Sequence, residues 1–218
     1  MKMASLCAPA SETENLFLED LSGFGRAETE VNRALDYAKT LDFSKSALKS
    51  SYLSHPIRVA DFLLRIDPSV SSAALVTAIL HNLPETTSVP LVEIERSFGA
   101  AVSSGIGALL VDRKVSFSAI QKNYYARLRA AGKEIMLIKL LDKMDNLFVL
   151  CLNPDEAVRR DYIAEIREEL LLFARGVARG LGDYLEELLE DASRTGFSQE
   201  LKDRLNVYQG TQRRGVAS

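Results

Sequence analysis

Apolar positions recur along this chain at the three- and four-residue spacing of one helix face. Residues 28–41 follow this spacing and are predicted to form an amphipathic helix. Pro56 suits the first turn of a second helix, which runs to Ile66 and stops at the Asp67-Pro68 pair. Residues 73–80 are apolar nearly all round, which is typical of a central, buried helix.

Proline and glycine mark the ends of further predicted helices. Pro84 is expected to end the apolar helix, because proline disfavours helical geometry in the residue before it. Pro90 opens two short helices that break near Gly99. The remaining helices are predicted over residues 120–132, 134–151, 161–174 and 181–193. No alternating strand pattern of useful length is found, so the fold class is predicted to be all-α.

The composition fits one folded domain with loose ends. The 218 residues are 47% hydrophobic and 26% charged, which supplies a full core and argues against disorder as the main state. Aperiodic residues at the start predict a flexible N-terminal tail over residues 1–25. The main domain is expected over residues 26–195, followed by a partly disordered C-terminal extension over residues 196–218.

Charge and cysteine content restrict the class of partner. The 27 basic residues are outnumbered by 30 acidic ones, which disfavours DNA or RNA as a partner. Cys7 and Cys151 form neither a disulfide framework nor a metal motif. The apolar stretch at residues 73–80 is too short for a membrane span. We therefore expect a cytoplasmic protein without a membrane partner; the sequence leaves homo-oligomerisation open.

Two histidines stand at the ends of apolar helices. His55 directly precedes Pro56, and His81 follows the most hydrophobic run of the chain. A buried imidazole needs partners for two ring nitrogens. Taken alone, each histidine fits a hydrogen-bonded core residue better than it fits a metal ligand.

A carboxylate inside an apolar helix adds to this picture. Asp142 and Asn146 are four residues apart, and Lys139 comes three residues before Asp142. A buried carboxylate is costly unless it is paired or bound to a metal. Either Lys139 or Lys143 could pair with Asp142. The alternative is a divalent transition-metal site built from two imidazoles, a carboxylate and an amide carbonyl.

Four short motifs occur in a fixed order along the chain. Residues 52–56 read YLSHP, residues 78–82 read AILHN followed by LPETT, residues 95–99 read ERSFG, and residues 137–147 read LIKLLDKMDNL. In order and spacing they resemble the HD-domain hydrolases, and most closely the hydrolase domain of the RelA/SpoT family. The resemblance covers about residues 28–190 and implies that the main domain is an HD-domain helical bundle.

The resemblance implies a metal site and an activity. His55, His81 and Asp142 match three metal ligands of the family, and the usual divalent metal there is Mn²⁺. Asn82 stands at the fourth ligand position, where the family has aspartate. The family's activity is the removal of the 3′-pyrophosphate from guanosine tetra- or pentaphosphate, (p)ppGpp, so a guanine nucleotide is the implied partner.

The resemblance also implies catalytic and substrate-binding positions. Glu85 and Thr86 stand where the family has a pair of acidic residues that act on the attacking water. The matching substrate-binding positions are Lys45, Lys49, Lys139 and Asn146. For the two loop lysines, Lys45 and Lys49, the alternative interpretation is a pair of solvated side chains.

Three functions follow from these residues and stay open at this point. The first is a metal-dependent phosphohydrolase acting on (p)ppGpp or a related nucleotide. The second is a catalytically degenerate HD-domain protein that binds or senses a nucleotide, motivated by Asn82 and Thr86. The third is a helical scaffold without turnover, motivated by the amphipathic segments within residues 161–193.

Overall fold

The computed structural model describes residues 10–26, 29–43, 53–111 and 117–204, with the backbone alone over residues 117–122. The described residues contain helices and connecting turns and no strand, which confirms the predicted all-α class. They fall into two compact units, residues 10–142 and residues 143–204. The boundary lies within one helix, between Asp142 and Lys143.

The first unit contains most of the helices of the described residues. They are α1 (Ala10–Gly23), α2 (Thr29–Lys39), α3 (Ser54–Ile66), α4 (Ser72–Leu80), α5 (Leu83–Thr86), α6 (Leu91–Phe98), α7 (Ala100–Leu109), α8 (Phe117–Ala131) and most of α9 (Lys133–Leu147). Helix α4 contacts α2, α3 and α7, and its residues 74–80 are all buried. This agrees with the prediction that the most apolar segment forms a central helix.

The start of α4 is fixed by hydrogen bonds from both sides. Ser71 is its N-cap, and the serine Oγ accepts a hydrogen bond from the backbone N–H of Ala74 at 3.1 Å. The Ser71 hydroxyl and backbone N–H both donate to the carboxylate of Glu134, each at 2.7 Å. Because Glu134 lies in the first turn of α9, these bonds join the two helices that position the site described below.

Pro84 differs from its predicted role. Helix α4 ends at Leu80, and Pro84 occupies the first turn of the short helix α5 instead of ending α4. Proline is tolerated there because the first-turn N–H groups have no partner within a helix. His81 and Asn82 consequently form a turn between two helices.

The N-terminal region corrects the expectation of a flexible tail over residues 1–25. Its described part forms helix α1, which packs against α3. The side chains of Thr13, Phe17 and Leu21 are buried. Their four-residue spacing places them on one face of the helix, and burial of that face stabilises the segment.

Two glycines shape the packing around α7. Gly99 has a φ of 86°, which favours glycine, and it separates α6 from α7 as predicted. At Gly105 a Cβ atom would lie 2.9 Å from Ile135 Cδ1 and 3.1 Å from Thr77 Cγ2. The absence of a side chain at Gly105 therefore allows α7 to approach α4 and α9 closely.

The second unit begins with the last turn of α9 and continues with three helices. These are α10 (Glu156–Glu169), α11 (Leu171–Val177) and α12 (Arg179–Thr195), preceded by a 3₁₀ turn at Leu150–Leu152. Asp155 caps α10 by accepting from the backbone N–H groups of Ala157 and Val158. In the predicted extension, residues 199–204 are helical, and residues 205–218 lie outside the described part.

Within the described residues, no helix combines the length and the apolar character that crossing a membrane requires.

Candidate metal centre

Three segments of the first unit bring two imidazoles and a carboxylate together. His55 lies in the first turn of α3, His81 in the turn after α4, and Asp142 in α9. One ligand atom from each of the three lies within 4.8 Å of the other two. All three residues are buried, with exposed fractions of 7%, 2% and 7%. The structure thus gathers side chains that are 26 and 61 residues apart in sequence.

Both imidazoles face the same oxygen of the carboxylate. His55 Nε2 lies 3.2 Å from Asp142 Oδ1, and His81 Nε2 lies 3.6 Å from that atom. The two rings meet edge to face, with centroids 5.4 Å apart. This leaves the second oxygen, Oδ2, for the ammonium of Lys139, which donates to it at 2.9 Å.

The backbone of α4 sets the tautomer of His81. Nδ1 of His81 lies 2.7 Å from the carbonyl oxygen of Ala78, and since a carbonyl only accepts, Nδ1 carries the proton. In the neutral ring, Nε2 then presents a lone pair toward Asp142 Oδ1. At 3.6 Å the two atoms are beyond hydrogen-bond distance, and His81 Nε2 has no hydrogen-bond partner among the described residues.

This arrangement fits a metal ion. Two electron-rich atoms, a ring nitrogen and a carboxylate oxygen, face each other in a buried place, which is unfavourable unless a cation interacts with both. An N–H donated to a backbone carbonyl is also the usual way in which a metal-ligating histidine is oriented. The residues present therefore match the donor set of a divalent transition metal.

Asp142 is held in its charged form. Burial acts to raise the pKa of Asp142, but the Lys139 ammonium and the two imidazoles beside the carboxylate outweigh burial and hold that pKa well below its usual range. The carboxylate is consequently ionised at neutral pH and can act as a metal ligand.

Lys139 is fixed between the carboxylate and an aromatic ring. Its Nζ lies 5.6 Å from the ring centroid of Tyr124, whose hydroxyl donates to the carbonyl of Leu109 at 2.9 Å. Of the two lysines considered from sequence, Lys139 pairs with Asp142, whereas Lys143 pairs with Glu165. The ion pair and the metal site are compatible, because they use different oxygens of Asp142. None of the sequence motifs includes Tyr124, so its position beside Lys139 could not be predicted from the sequence.

Three further predicted site residues follow His81 closely in sequence: Asn82 at the fourth ligand position, and Glu85 and Thr86 at the positions of the acidic pair. Asn82 is half-buried in the turn between α4 and α5, and its backbone carbonyl accepts from the hydroxyl of Thr86 at 2.8 Å. Glu85 is exposed on α5. Thr86 therefore directs its hydroxyl to the backbone of its own turn.

Two of the four predicted substrate-binding residues lie in the described part of the chain. Lys139 lies beside the carboxylate, as described above. Asn146 is half-buried in α9, four residues after Asp142, and belongs to the second unit. Lys45 and Lys49 lie outside the described residues.

The chain belongs to the HD-domain family. The family model described as HD domain matches residues 34–175, well over half of the chain. This confirms the family predicted from the motifs, and the segments that carry His55, His81 and Asp142 all lie within the match.

Several relatives carry names that refer to guanine nucleotides. The GTP pyrophosphokinase rsh of Brucella ovis is 32% identical over 176 residues, which are 77% of this chain and 22% of that protein. The chain thus spans about a fifth of the length of that relative. The guanosine-3′,5′-bis(diphosphate) 3′-pyrophosphohydrolase MESH1 of Drosophila melanogaster is 25% identical over 153 residues, 69% of this chain and 83% of that protein.

A solved structure agrees with the fold. The protein described as a metazoan ortholog of SpoT that hydrolyses ppGpp superposes with a TM-score of 0.61. The superposition covers 76% of this chain and 96% of that chain, with 22% sequence identity. The likeness supports the helical architecture of the HD domain in this chain.

Proposed function

We propose that this chain is a metal-dependent phosphohydrolase that removes the 3′-pyrophosphate of (p)ppGpp or a related guanine nucleotide. The observation that carries the proposal is the convergence of His55 and His81 on one oxygen of Asp142, with His81 in the tautomer that suits a metal ligand. The relatives named for the 3′-pyrophosphohydrolase reaction support the choice of substrate.

His55, His81 and Asp142 would hold the metal, and the amide oxygen of Asn82 is a fourth candidate ligand. Mn²⁺ is the metal we propose, because it is the usual metal of the family that the motifs resemble and because carboxylate and carbonyl oxygens suit it. When bound, a divalent cation supplies Lewis acidity toward phosphoryl oxygens and toward water. Lys139 holds the second oxygen of Asp142 and so keeps the first one directed at the imidazoles.

The proposed reaction is hydrolysis at the 3′-linked phosphorus. Water attacks that phosphorus, the bond from phosphorus to the ribose 3′-oxygen breaks, and the 3′-oxygen leaves as a hydroxyl after taking up a proton. We assign the exposed carboxylate of Glu85 to accept the proton of the attacking water, with Thr86 beside it. Asn146, Lys45 and Lys49 are proposed to bind the nucleotide.

A turnover assay with a metal measurement tests the proposal. The purified protein, supplied with Mn²⁺, should release pyrophosphate from ppGpp, and in the presence of phosphate it should contain close to one metal ion per chain by elemental mass spectrometry. Asp142→Asn keeps the shape of the side chain but removes its charge, and we expect it to lose both metal and turnover. Lys133→Gln, on an exposed residue of the same helix, is the matched control that should retain both.

A folded wild-type protein that neither binds Mn²⁺ nor releases pyrophosphate would contradict the proposal. Circular dichroism and thermal melting of each variant separate loss of the site from loss of the fold.

One observation favours a second candidate function, nucleotide binding without turnover. Thr86 replaces an acidic residue of the family, and its hydroxyl is bonded to the Asn82 carbonyl. If this position has lost catalysis, the double variant Asn82→Asp, Thr86→Asp should turn over ppGpp while the wild type only binds it. Equal turnover by the two proteins would exclude this alternative.

A further inference from the structure

The ligands of the metal centre supply less negative charge than a divalent cation requires. Asp142 is the one carboxylate in the His55, His81 and Asp142 cluster among the described residues, and Lys139 pairs with it. The negative charge of the carboxylate and the positive charge of the ammonium cancel. The three ligands and Lys139 would therefore leave both positive charges of a divalent metal without compensation from the cluster itself, and such charge is costly in a buried place.

The ammonium of Lys139 is built into the centre. Its side chain is 10% exposed, and its Nζ lies between Asp142 Oδ2 and the ring of Tyr124. Tyr124 is buried and anchored to the carbonyl of Leu109. Displacing the ammonium would cost these contacts, so a metal ion shares the carboxylate with Lys139 and does not replace it.

We infer that Lys139 makes metal binding conditional on an anionic ligand. The metal is held weakly when Lys139 and the metal share one carboxylate, and firmly once phosphate oxygens add negative charge to the centre. Metal and substrate then enter as a mutually dependent pair, since coupling between two ligands is reciprocal. This role is a positioning and charge-setting one, and it rests on the proposed function, from which the phosphate chemistry of the ligand follows.

The inference is tested by binding, without any turnover. Mn²⁺ is titrated into the full chain, and free Mn²⁺ is followed by electron paramagnetic resonance, with and without inorganic phosphate. Protein-free titrations correct for the weak complex of Mn²⁺ with phosphate. We expect phosphate to lower the apparent Kd of the wild type for Mn²⁺ by about tenfold, within the usual range of coupling between two sites.

Substitution of Lys139 should uncouple the two ligands. Lys139→Met, which keeps the length of the side chain, is expected to bind Mn²⁺ about tenfold more tightly without phosphate and to show little further gain with it. Lys139→Arg keeps the charge and should keep the dependence on phosphate. Lys133→Met removes an exposed charge from the same helix and should behave as the wild type.

The outcomes separate this inference from the proposed function. Tight Mn²⁺ binding by the wild type that is unaffected by phosphate overturns the role of Lys139 and leaves the hydrolase proposal standing. No Mn²⁺ binding under either condition overturns both. The wild-type titrations decide between these results even if Lys139→Met does not fold.

Discussion

Two buried lysines, four residues apart on α9, form ion pairs that look alike and have different surroundings. Lys139 and Lys143 are each 8% exposed, and each donates to a carboxylate, at 2.9 Å for Asp142 and at 2.6 Å for Glu165. Each also lies near a tyrosine ring, Tyr124 and Tyr162 respectively. Burial and pairing alone therefore do not distinguish the two lysines.

The second oxygen of each carboxylate makes the difference. Asp142 presents its other oxygen to two imidazoles, whereas Glu165 is in no cluster of metal-ligating side chains among the described residues. The Lys143 ammonium lies 4.0 Å from the ring centroid of Tyr162, whose hydroxyl donates to the Lys143 carbonyl. A buried ion pair alone therefore does not indicate a metal site, and the two imidazoles beside Asp142 are the observation that does.

The largest expected effect comes from neutralising the two carboxylates separately. We predict that Asp142→Asn reduces bound Mn²⁺ to background, whereas Glu165→Gln keeps the metal and lowers the free energy of unfolding by about 3 kcal/mol, because it leaves a buried ammonium without its anion. Elemental mass spectrometry and urea unfolding measure the two quantities. Loss of metal from folded Glu165→Gln protein would remove the distinction between the pairs.

Replacing a whole pair by apolar side chains sharpens the comparison. The double variant Lys143→Met, Glu165→Met should be as stable as the wild type or more stable, by up to about 4 kcal/mol, since it removes the desolvation cost of both charges. Its metal content should equal that of the wild type. A marked loss of stability on urea unfolding would mean that the ion pair between Lys143 and Glu165 stabilises the fold more than apolar side chains do.

A third carboxylate shows what burial does without a buried ammonium. Burial and a hydrogen bond with Asp20 raise the pKa of Asp61 to about 6, against the opposing effect of the partly exposed Arg65. Between the unfolded pKa near 3.8 and this value, the folded state keeps a proton that the unfolded state loses. The contribution of Asp61 to stability therefore falls as pH rises from about 4 to about 6 and is constant above that window.

Asp61→Asn mimics the protonated side chain and should make this effect visible. We predict equal stability of variant and wild type near pH 4, and an advantage for the variant of about 1 to 2 kcal/mol above pH 6, reduced by partial exposure. Urea unfolding at several pH values gives the difference curve. An advantage that does not change with pH would show that the pKa of Asp61 is the same in the folded and unfolded states. Asp142, with its depressed pKa, should act in the opposite sense: its contribution to stability rises with pH near pH 4, where the unfolded carboxyl still loses its proton, and is constant above that.

The smallest effect is expected for an exposed ion pair. Arg175 and Glu186 approach to 2.6 Å with about half of each side chain exposed. Glu186→Gln should change the free energy of unfolding by less than about 1 kcal/mol, because water screens the pair. A loss as large as that of Glu165→Gln would show that exposure does not explain the difference between them.

The sequence predicted those parts of the fold that depend on local spacing. The apolar faces of α2 and α4 and the break at Gly99 all follow from neighbours within one or two helical turns. Helix α1 was missed, although Thr13, Phe17 and Leu21 carry a spacing that indicates it. Its partner surface, on α3, is far away in sequence.

The ordered motifs in the sequence predict the three expected ligands of the candidate site. They do not predict which lysine pairs with Asp142. The resemblance brought His55, His81 and Asp142 together as expected ligands, and the geometry is compatible with that role. Which lysine pairs with Asp142 depends on Glu165, which lies 22 residues beyond Lys143 and competes for it. No local pattern in the sequence records that competition.

The hydrogen bond from His81 to the Ala78 carbonyl has a consequence for how this chain tolerates mutation. The acceptor belongs to the backbone, so no side-chain substitution at position 78 can delete it. The orientation of the His81 ring therefore does not depend on a second side chain, and substitutions at neighbouring positions leave the acceptor in place. Residues 82 and 86 can therefore be substituted while the His81 imidazole keeps its orientation.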